Sequence, residues 1–373
     1  MHLKQPLKPL GCQALRVFVG RVAPAFCRAL LRLAKTHEDR GEYAKAQKLC
    51  ERSLRVLGSV PRKPALERSR VRSLSYLATL ERIQGRYSRA EALFREALAM
   101  AASVFGPRDL APSALLHDLA VLHKYQGRFS EAKRLYVKSL VITRQVLGPE
   151  HPKVATIYHN LGGLEHARGR FARGEPFARR AVRIREKALG ADHPDVAADV
   201  AALAAILDGQ GRYEESEPLY RRALAVFERR FGPEHYELAV NFNNLGALCQ
   251  ATGRDVEAER LYRRALAIKE RILGPDHPDV AMTLNNLATF HRSFGRAPEA
   301  EALYRRALAI FEKTLPQTHP KLATCRANYA ALLRAEKRDT EALKLEALAL
   351  TDAPVSIRLG SATQSSYKNR PQS

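Results

Sequence analysis

The chain has 373 residues, of which 46% are apolar and 7% aromatic, with no tryptophan and a formal charge of +23 at pH 7. That apolar share is enough for a continuous core, and the abundance of alanine suits closely packed helices rather than an aromatic-rich pocket. Five scattered cysteines (Cys12, Cys27, Cys50, Cys249 and Cys325) never form a C-x-x-C pair, which argues against a disulfide framework or a zinc site and for a reducing, cytoplasmic setting.

In chain order, the first 37 residues carry Lys4, Lys8, Arg16, Arg21, Arg28, Arg32 and Lys35, with no acid before Glu38. Such a stretch suits an import peptide or a membrane-surface segment. Arg16, Arg21 and Arg28 interrupt every apolar run before it reaches the length of a signal-peptide core, and nothing hydrophobic leads up to Leu10-Gly11-Cys12. Residues 1–24 are therefore expected to be an amphipathic lead-in that caps the folded region beginning near residue 25. No later segment approaches the ~20 uninterrupted apolar residues of a spanning helix.

From there one pattern governs the chain. A helix-type apolar period is interrupted at Gly41, Gly85, Gly127, Gly169, Gly211, Gly253, Gly295 and, with a substitution, Lys337. The marks lie 44 residues apart once and 42 apart six times, which predicts a stack of near-identical units. In the seventh unit Pro278 opens a first helix and Asp279 meets its positive end. Ala281, Leu284, Leu287, Ala288 and His291 form one packed face, and Gly295 closes the helix as a left-handed cap.

A second helix near Pro298 turns Ala300, Leu303, Tyr304, Ala307, Leu308 and Phe311 inward. The position of Ala300 is small in every unit: Ala46, Ala90, Ala132, Gly174, Ser216, Ala258 and Ala342. Helix axes approach within roughly 8–10 Å only where such side chains lie between them. Large residues are expected one turn on, at Phe94, Tyr136, Phe177, Tyr220, Tyr262 and Tyr304.

The arrangement of Leu284, Leu287, Ala288, Gly295, Ala300, Tyr304 and Ala307 resembles the tetratricopeptide repeat. The linker Leu273 to Ala281 and the run Asn285 to Ala288 resemble the 42-residue repeats of kinesin light chains and similar bacterial arrays. The resemblance covers roughly residues 25–350 and implies an all-α, right-handed superhelical solenoid of about eight helical hairpins. A kinesin light chain has a long heptad segment before its repeats, and about 25 residues here are too few for one. A motor-adaptor role is thus poorly supported.

The units are expected at 25–60, 69–106, 111–148, 153–190, 195–232, 237–274, 279–315 and 321–350. After residue 350 the periodicity is lost, so 351–373 reads as a disordered tail. Leu343, Leu345, Leu348 and Leu350 would face no ninth unit, an end left open or closed by self-association.

The resemblance implies that first helices line a concave groove. The position before the Leu287 type holds Asn160, Asn244, Asn286 and Asn328, and one residue earlier stand His159, Asn243 and Asn285. An amide offers a donor and an acceptor, which suits the backbone of an extended peptide. The same residues also suit structural bonds to a neighbouring helix. Equivalent positions in the first two units hold Arg28, Arg32, Lys35 and Arg72. Together these describe a groove with a basic mouth and an amide floor, accepting an extended, partly acidic segment of a protein partner.

Two recurrent sets receive plainer readings. His151, His193, His235, His277 and His319 occupy one linker position, and spacing by a helix diameter keeps them from sharing a metal. They are expected to bond loop carbonyls. The pairs Arg179–Arg180, Arg221–Arg222, Arg263–Arg264 and Arg305–Arg306 invite nucleic acid or an anionic membrane. Acids such as Glu214, Glu215, Glu257, Glu259, Glu299 and Glu301 nearby favour an ion-paired surface instead.

No phosphate-binding loop, G-x-S-x-G or H-E-x-x-H occurs. The sequence thus points to a non-catalytic, cofactor-free adaptor. The alternatives are polyanion binding and a sensor acting beside a separate ATPase or protease.

Overall fold

The computed structural model describes residues 12–39, 42–61, 63–106, 108–315, 317 and 319–351. The start of the basic lead-in, the Gly41 mark and residues 352–373 lie outside the described residues. Within them the chain is entirely helical, with no strand. The helices run α1 (Cys12–Asp39), α2 (Tyr43–Gly58), α3 (Pro64–Ile83), α4 (Tyr87–Val104), α5 (Ala111–Tyr125), α6 (Phe129–Leu147), α7 (Pro152–Ala167) and α8 (Phe171–Leu189). They continue as α9 (Pro194–Gly209), α10 (Tyr213–Phe231), α11 (Tyr236–Ala251), α12 (Asp255–Leu273), α13 (Pro278–Ser293), α14 (Ala297–Thr314), α15 (Pro320–Ala335) and α16 (Asp339–Thr351).

From α3 to α15 the periodic marks are what turn each odd-numbered helix into the next. At the end of α13, Gly295 has φ +66° and its N–H donates to the carbonyl of Arg292, while Arg296 N–H reaches back to His291 O. That pair of bonds satisfies carbonyls the helix would leave open, and it needs a left-handed residue. Lys337 holds the same conformation at φ +60°, the only non-glycine among the described residues to do so. The substituted mark therefore makes the same turn, against the steric preference of a side chain.

Packing inside each hairpin follows the small position. Ala46, Ala90, Ala132, Ser216, Ala258, Ala300 and Ala342 are fully buried. Phe94, Tyr136, Tyr220, Tyr262 and Tyr304 fill the turn beyond them. The fourth hairpin departs from expectation. Ala178, not Phe177, occupies the large position and is buried, while Phe177 lies half-buried and stacked on Tyr158 at 6.3 Å. Gly162 and Gly174 face each other there, and a Cβ on Gly174 would stand 3.1 Å from Gly162 O. With three small residues at the crossing, α7 and α8 approach too closely to admit a ring, so the aromatic moves to the rim.

Contacts divide the chain into two compact units. One holds α1 to α4, most of α5 and residues 137–146 of α6; the other holds residues 123–136 and α7 to α16. In the first, α1 runs through Pro24 without a break and buries Ala23, Cys27, Leu30 and Ala34. In the second, the cores of successive hairpins merge: Phe227, Leu245, Tyr262 and Phe290 belong to one cluster spanning α9 to α13. Each such side chain contributes roughly 1.5–3 kcal/mol when fully buried, largely offset by chain ordering.

Candidate functional site

Within the second unit, the first helices of successive hairpins touch directly, as α7 does α9 and α13 does α15. Their inner sides therefore form one surface. On it the predicted amides meet. Asn286 Nδ2 donates to Asn243 Oδ1 at 3.0 Å, linking α13 to α11, and Asn328 Nδ2 donates to Asn285 Oδ1 at 3.1 Å, linking α15 to α13. Asn285 Nδ2 closes the chain through Asn286 Oδ1 at 3.5 Å. The amides thus form a ladder across three hairpins, the structural role that sequence leaves open beside peptide binding.

Asn285 is nearly buried, whereas Asn243, Asn286 and Asn328 are half-exposed. An amide has four bonding positions, and the ladder uses one on Asn243, one on Asn328 and two on Asn286. Asn244 lies beside Asn243 on the same half-exposed face. Around them Ala247, Met282, Thr324 and Ala331 are at least partly exposed, leaving a neutral floor between the amides.

Asn160 and His159 stand apart from this ladder. Asn160 Nδ2 donates to its own helix at Thr156 O, 3.0 Å away. His159 Nδ1 lies 2.8 Å from Asp199 Oδ1. Asp199 is buried against Arg185, whose Nε is 3.1 Å from Oδ2 and whose Nη2 donates to Thr156 Oγ1 at 2.9 Å. A buried carboxylate is tolerable only with such compensation. Two hairpins on, Lys269 fills the position of Arg185 and donates to Thr283 Oγ1 at 2.9 Å, with burial holding its pKa below the ordinary value. Neither buried cation is legible as such, because in the sequence each merely interrupts an apolar column.

The basic residues belong to the other unit. Arg28, Arg32, Lys35 and Arg72 are exposed there, and Lys35 pairs with Glu38 at 3.2 Å. Tyr76 also donates to Glu38, at 2.5 Å, so the acid sits among the basic side chains. Amide floor and basic row are thus features of separate compact units.

The linker histidines act differently from expectation. Each accepts rather than donates: His151, His193, His277 and His319 take the backbone N–H two residues on at 3.1 Å, and His235 does so at 3.3 Å. They are helix N-caps, using Nδ1 where Ser or Asp would use oxygen. The role requires a neutral Nδ1. Burial lowers the pKa of His277, and burial with the nearby Lys321 brings that of His319 down to about 4.

The outer arginines are engaged by acids, Glu259 and Glu301 among those expected and Glu175 and Glu217 beside them. Arg179, Arg221, Arg263 and Arg305 pair within their helices with Glu175, Glu217, Glu259 and Glu301 at 2.7–2.8 Å. The same four acids also receive Arg212, Arg254, Arg296 and Arg338 from the next hairpin, at 2.7–3.0 Å. Arg222, Arg264 and Arg306 reach back to Glu186, Glu228 and Glu270. The i,i+4 spacing finds the partners within each helix, and a constant separation of 37 residues finds those of the next hairpin.

Among the described residues no group of acids, cysteines and histidines is placed to hold a metal, and no helix is long and apolar enough to cross a membrane.

The tetratricopeptide repeat family matches residues 69–142, 113–187, 153–228, 196–271, 242–313 and 279–353, and a second tetratricopeptide repeat match covers residues 31–105. No curated protein matches. A solved structure of nearly identical repeats from a putative kinesin light chain of Podosopora anserina is 25% identical, covering 58% of this chain and all of that one, with a TM-score of 0.43. A Rap protein complexed with competence and sporulation factor is 13% identical at a TM-score of 0.60, covering 90% of this chain and 99% of that one. A signal-transduction ATPase with a tetratricopeptide repeat sensor from Pyrococcus horikoshii is 14% identical at 0.51, covering 95% of this chain and 55% of that one. The last two share its fold.

Proposed function

The chain belongs to the tetratricopeptide repeat family, and we propose that it is a non-catalytic adaptor holding an extended segment of a protein partner on the inner face of α11, α13 and α15. The observation that carries this reading is the amide ladder of Asn243, Asn286, Asn285 and Asn328. Mutual bonds fix the rotamers of these side chains and leave open donors and acceptors in register along one surface. A peptide backbone presents the complementary N–H and C=O groups, and prefixed partners bind it with less loss of side-chain entropy. Arg28, Arg32, Lys35 and Arg72, in the other unit, would by themselves favour an acidic segment. Buried free thiols at Cys27, Cys50, Cys249 and Cys325 suit the reducing cytoplasm.

The polyanion alternative has less support, because the recurrent arginines are held by acids of their own or the neighbouring hairpin. A sensor beside a separate ATPase or protease is the other alternative, and it uses the same face. The test is selection of a displayed random-peptide library on the immobilised protein, repeated with Asn244→Ala, Asn286→Ala and Asn328→Ala combined. Enrichment of one motif that the triple variant loses, with melting of the variant unimpaired, is the expected result. Equal enrichment by both proteins would remove the amide face from the function.

A further inference from the structure

A surface in the first unit serves neither the core nor the amide face. On α1, Val22, Phe26 and Leu33 are 45%, 41% and 48% exposed. At 100° per residue they fall on one stripe with Ala29, beside the buried stripe of Ala23, Cys27, Leu30 and Ala34. Among the described residues α1 packs on α2 and α3 through its buried stripe, and the exposed stripe lies to the side of that contact, with Phe26 at the edge of α2.

Basic side chains border it on two sides. Arg28, Arg32 and Lys35 follow along α1, exposed to solvent. From α2, the guanidinium of Arg52 lies over the Phe26 ring, 5.7 Å from its centroid, and Lys48 stands one turn away on the same exposed side. The sequence supplies no acid before Glu38.

We propose that this end of the chain docks on an anionic lipid surface, with Val22, Phe26 and Leu33 entering the headgroup boundary between two rows of cations. Apolar side chains flanked by Lys and Arg, with Glu38 as the acid paired to Lys35 at their far end, match the apolar interior and negative surface of such a bilayer together. A nucleic acid would use the cations and leave the apolar stripe in water. A second hairpin packed on α1 would use the stripe and leave the cations without anions.

The test is co-sedimentation of the full chain with vesicles of phosphatidylcholine, with and without one third phosphatidylglycerol. Binding is expected only to the anionic vesicles. Val22→Ser, Phe26→Ser and Leu33→Ser combined should abolish it, since these exposed side chains can change without disturbing the core. Lys48→Gln with Arg52→Gln should weaken it about thirtyfold, from the ~1 kcal/mol assigned to each of the two juxtamembrane cations. Absence of binding to anionic vesicles would overturn the proposal. So would binding that the serine variant retains in full, which is adsorption by net charge alone. Neither outcome depends on the amide face, whose asparagines lie in the other unit.

Discussion

Arg254 grips Glu217 across 37 residues of sequence, with Nη1 2.8 Å from Oε1 and Nη2 2.7 Å from Oε2. The fork joins the turn before α12 to α10, and the same carboxylate holds Arg221 at 2.7 Å. Two-pronged, charge-assisted bonds of this kind are stronger than single surface pairs. The hydrogen bond from Arg254 holds the Glu217 carboxyl below its ordinary pKa.

Glu217→Gln should therefore destabilise the protein by about 1 kcal/mol, the upper range for a partly exposed pair. Denaturant titration at low and high salt would show a difference that shrinks as salt screens the pair. Because the folded pKa is depressed, the contribution is complete above the unfolded pKa and fades as pH falls below it. A salt-independent difference would assign the effect to packing instead.

The cap at His319 makes a second, opposite use of charge. Its pKa falls from 6.5 to about 4 in the folded protein, so the unfolded chain binds a proton over that window and the folded one does not. Stability contributed by the neutral ring is complete above pH 6.5 and is lost as pH falls towards 4. His319→Asn keeps a capping acceptor without the titration. The two proteins should be alike at pH 7, with the variant more stable by about 2–3 kcal/mol near pH 4.5. Parallel stability curves for the two proteins would exclude this role.

Ala258 is fully buried at the hairpin crossing, where a Cβ on the facing Gly246 would stand 3.4 Å from Ala258 O. Ala258→Trp should wedge α11 from α12 and lower stability by about 1–3 kcal/mol or more. Hydrogen exchange should quicken in α9 to α14, because each hairpin is stabilised by its neighbours. Unchanged melting would refute the packing.

Burial raises the thiol pKa of Cys249 to about 11 and those of Cys50 and Cys325 to about 12. Thiolate, the reactive form, is then scarce at neutral pH. These three cysteines should resist a water-soluble disulfide reagent in the native protein and react promptly in urea, as peptide mass mapping would show. Fast native labelling of any of them would indicate local opening.

The fold is legible because one unit, repeated, fixes every helix boundary. The 42-residue spacing locates the turns, and Pro278 with Gly295 locates the two ends of a helix. What escapes are relations between units. Aromatic character alone places Phe177 one residue out of register, because it does not reveal that Gly162, Gly174 and Ala178 leave a ring no room. The histidines are legible as structural, but the direction of their bond depends on a backbone N–H that only a formed helix presents. At the candidate site the asparagines stand out in the sequence as a set. Their bonding to one another requires the distance between α11, α13 and α15, which no single helix encodes.

The outer ladder has a consequence for the length of the chain. Glu175, Glu217, Glu259 and Glu301 each answer an arginine 37 residues ahead, and the junctions before α7, α9, α11, α13 and α15 repeat one histidine cap. Removing residues 213–254, one whole period, would leave Glu175 with Arg212 and bring Arg264 to Glu186, with Ala258 taking the place of Ser216. Removing one residue more or fewer would do none of this. From Glu175 to Arg338 the ladder thus keeps its pairings through loss or duplication of a whole period and through no other change of length. Along that stretch length is a quantity the molecule can alter only in steps.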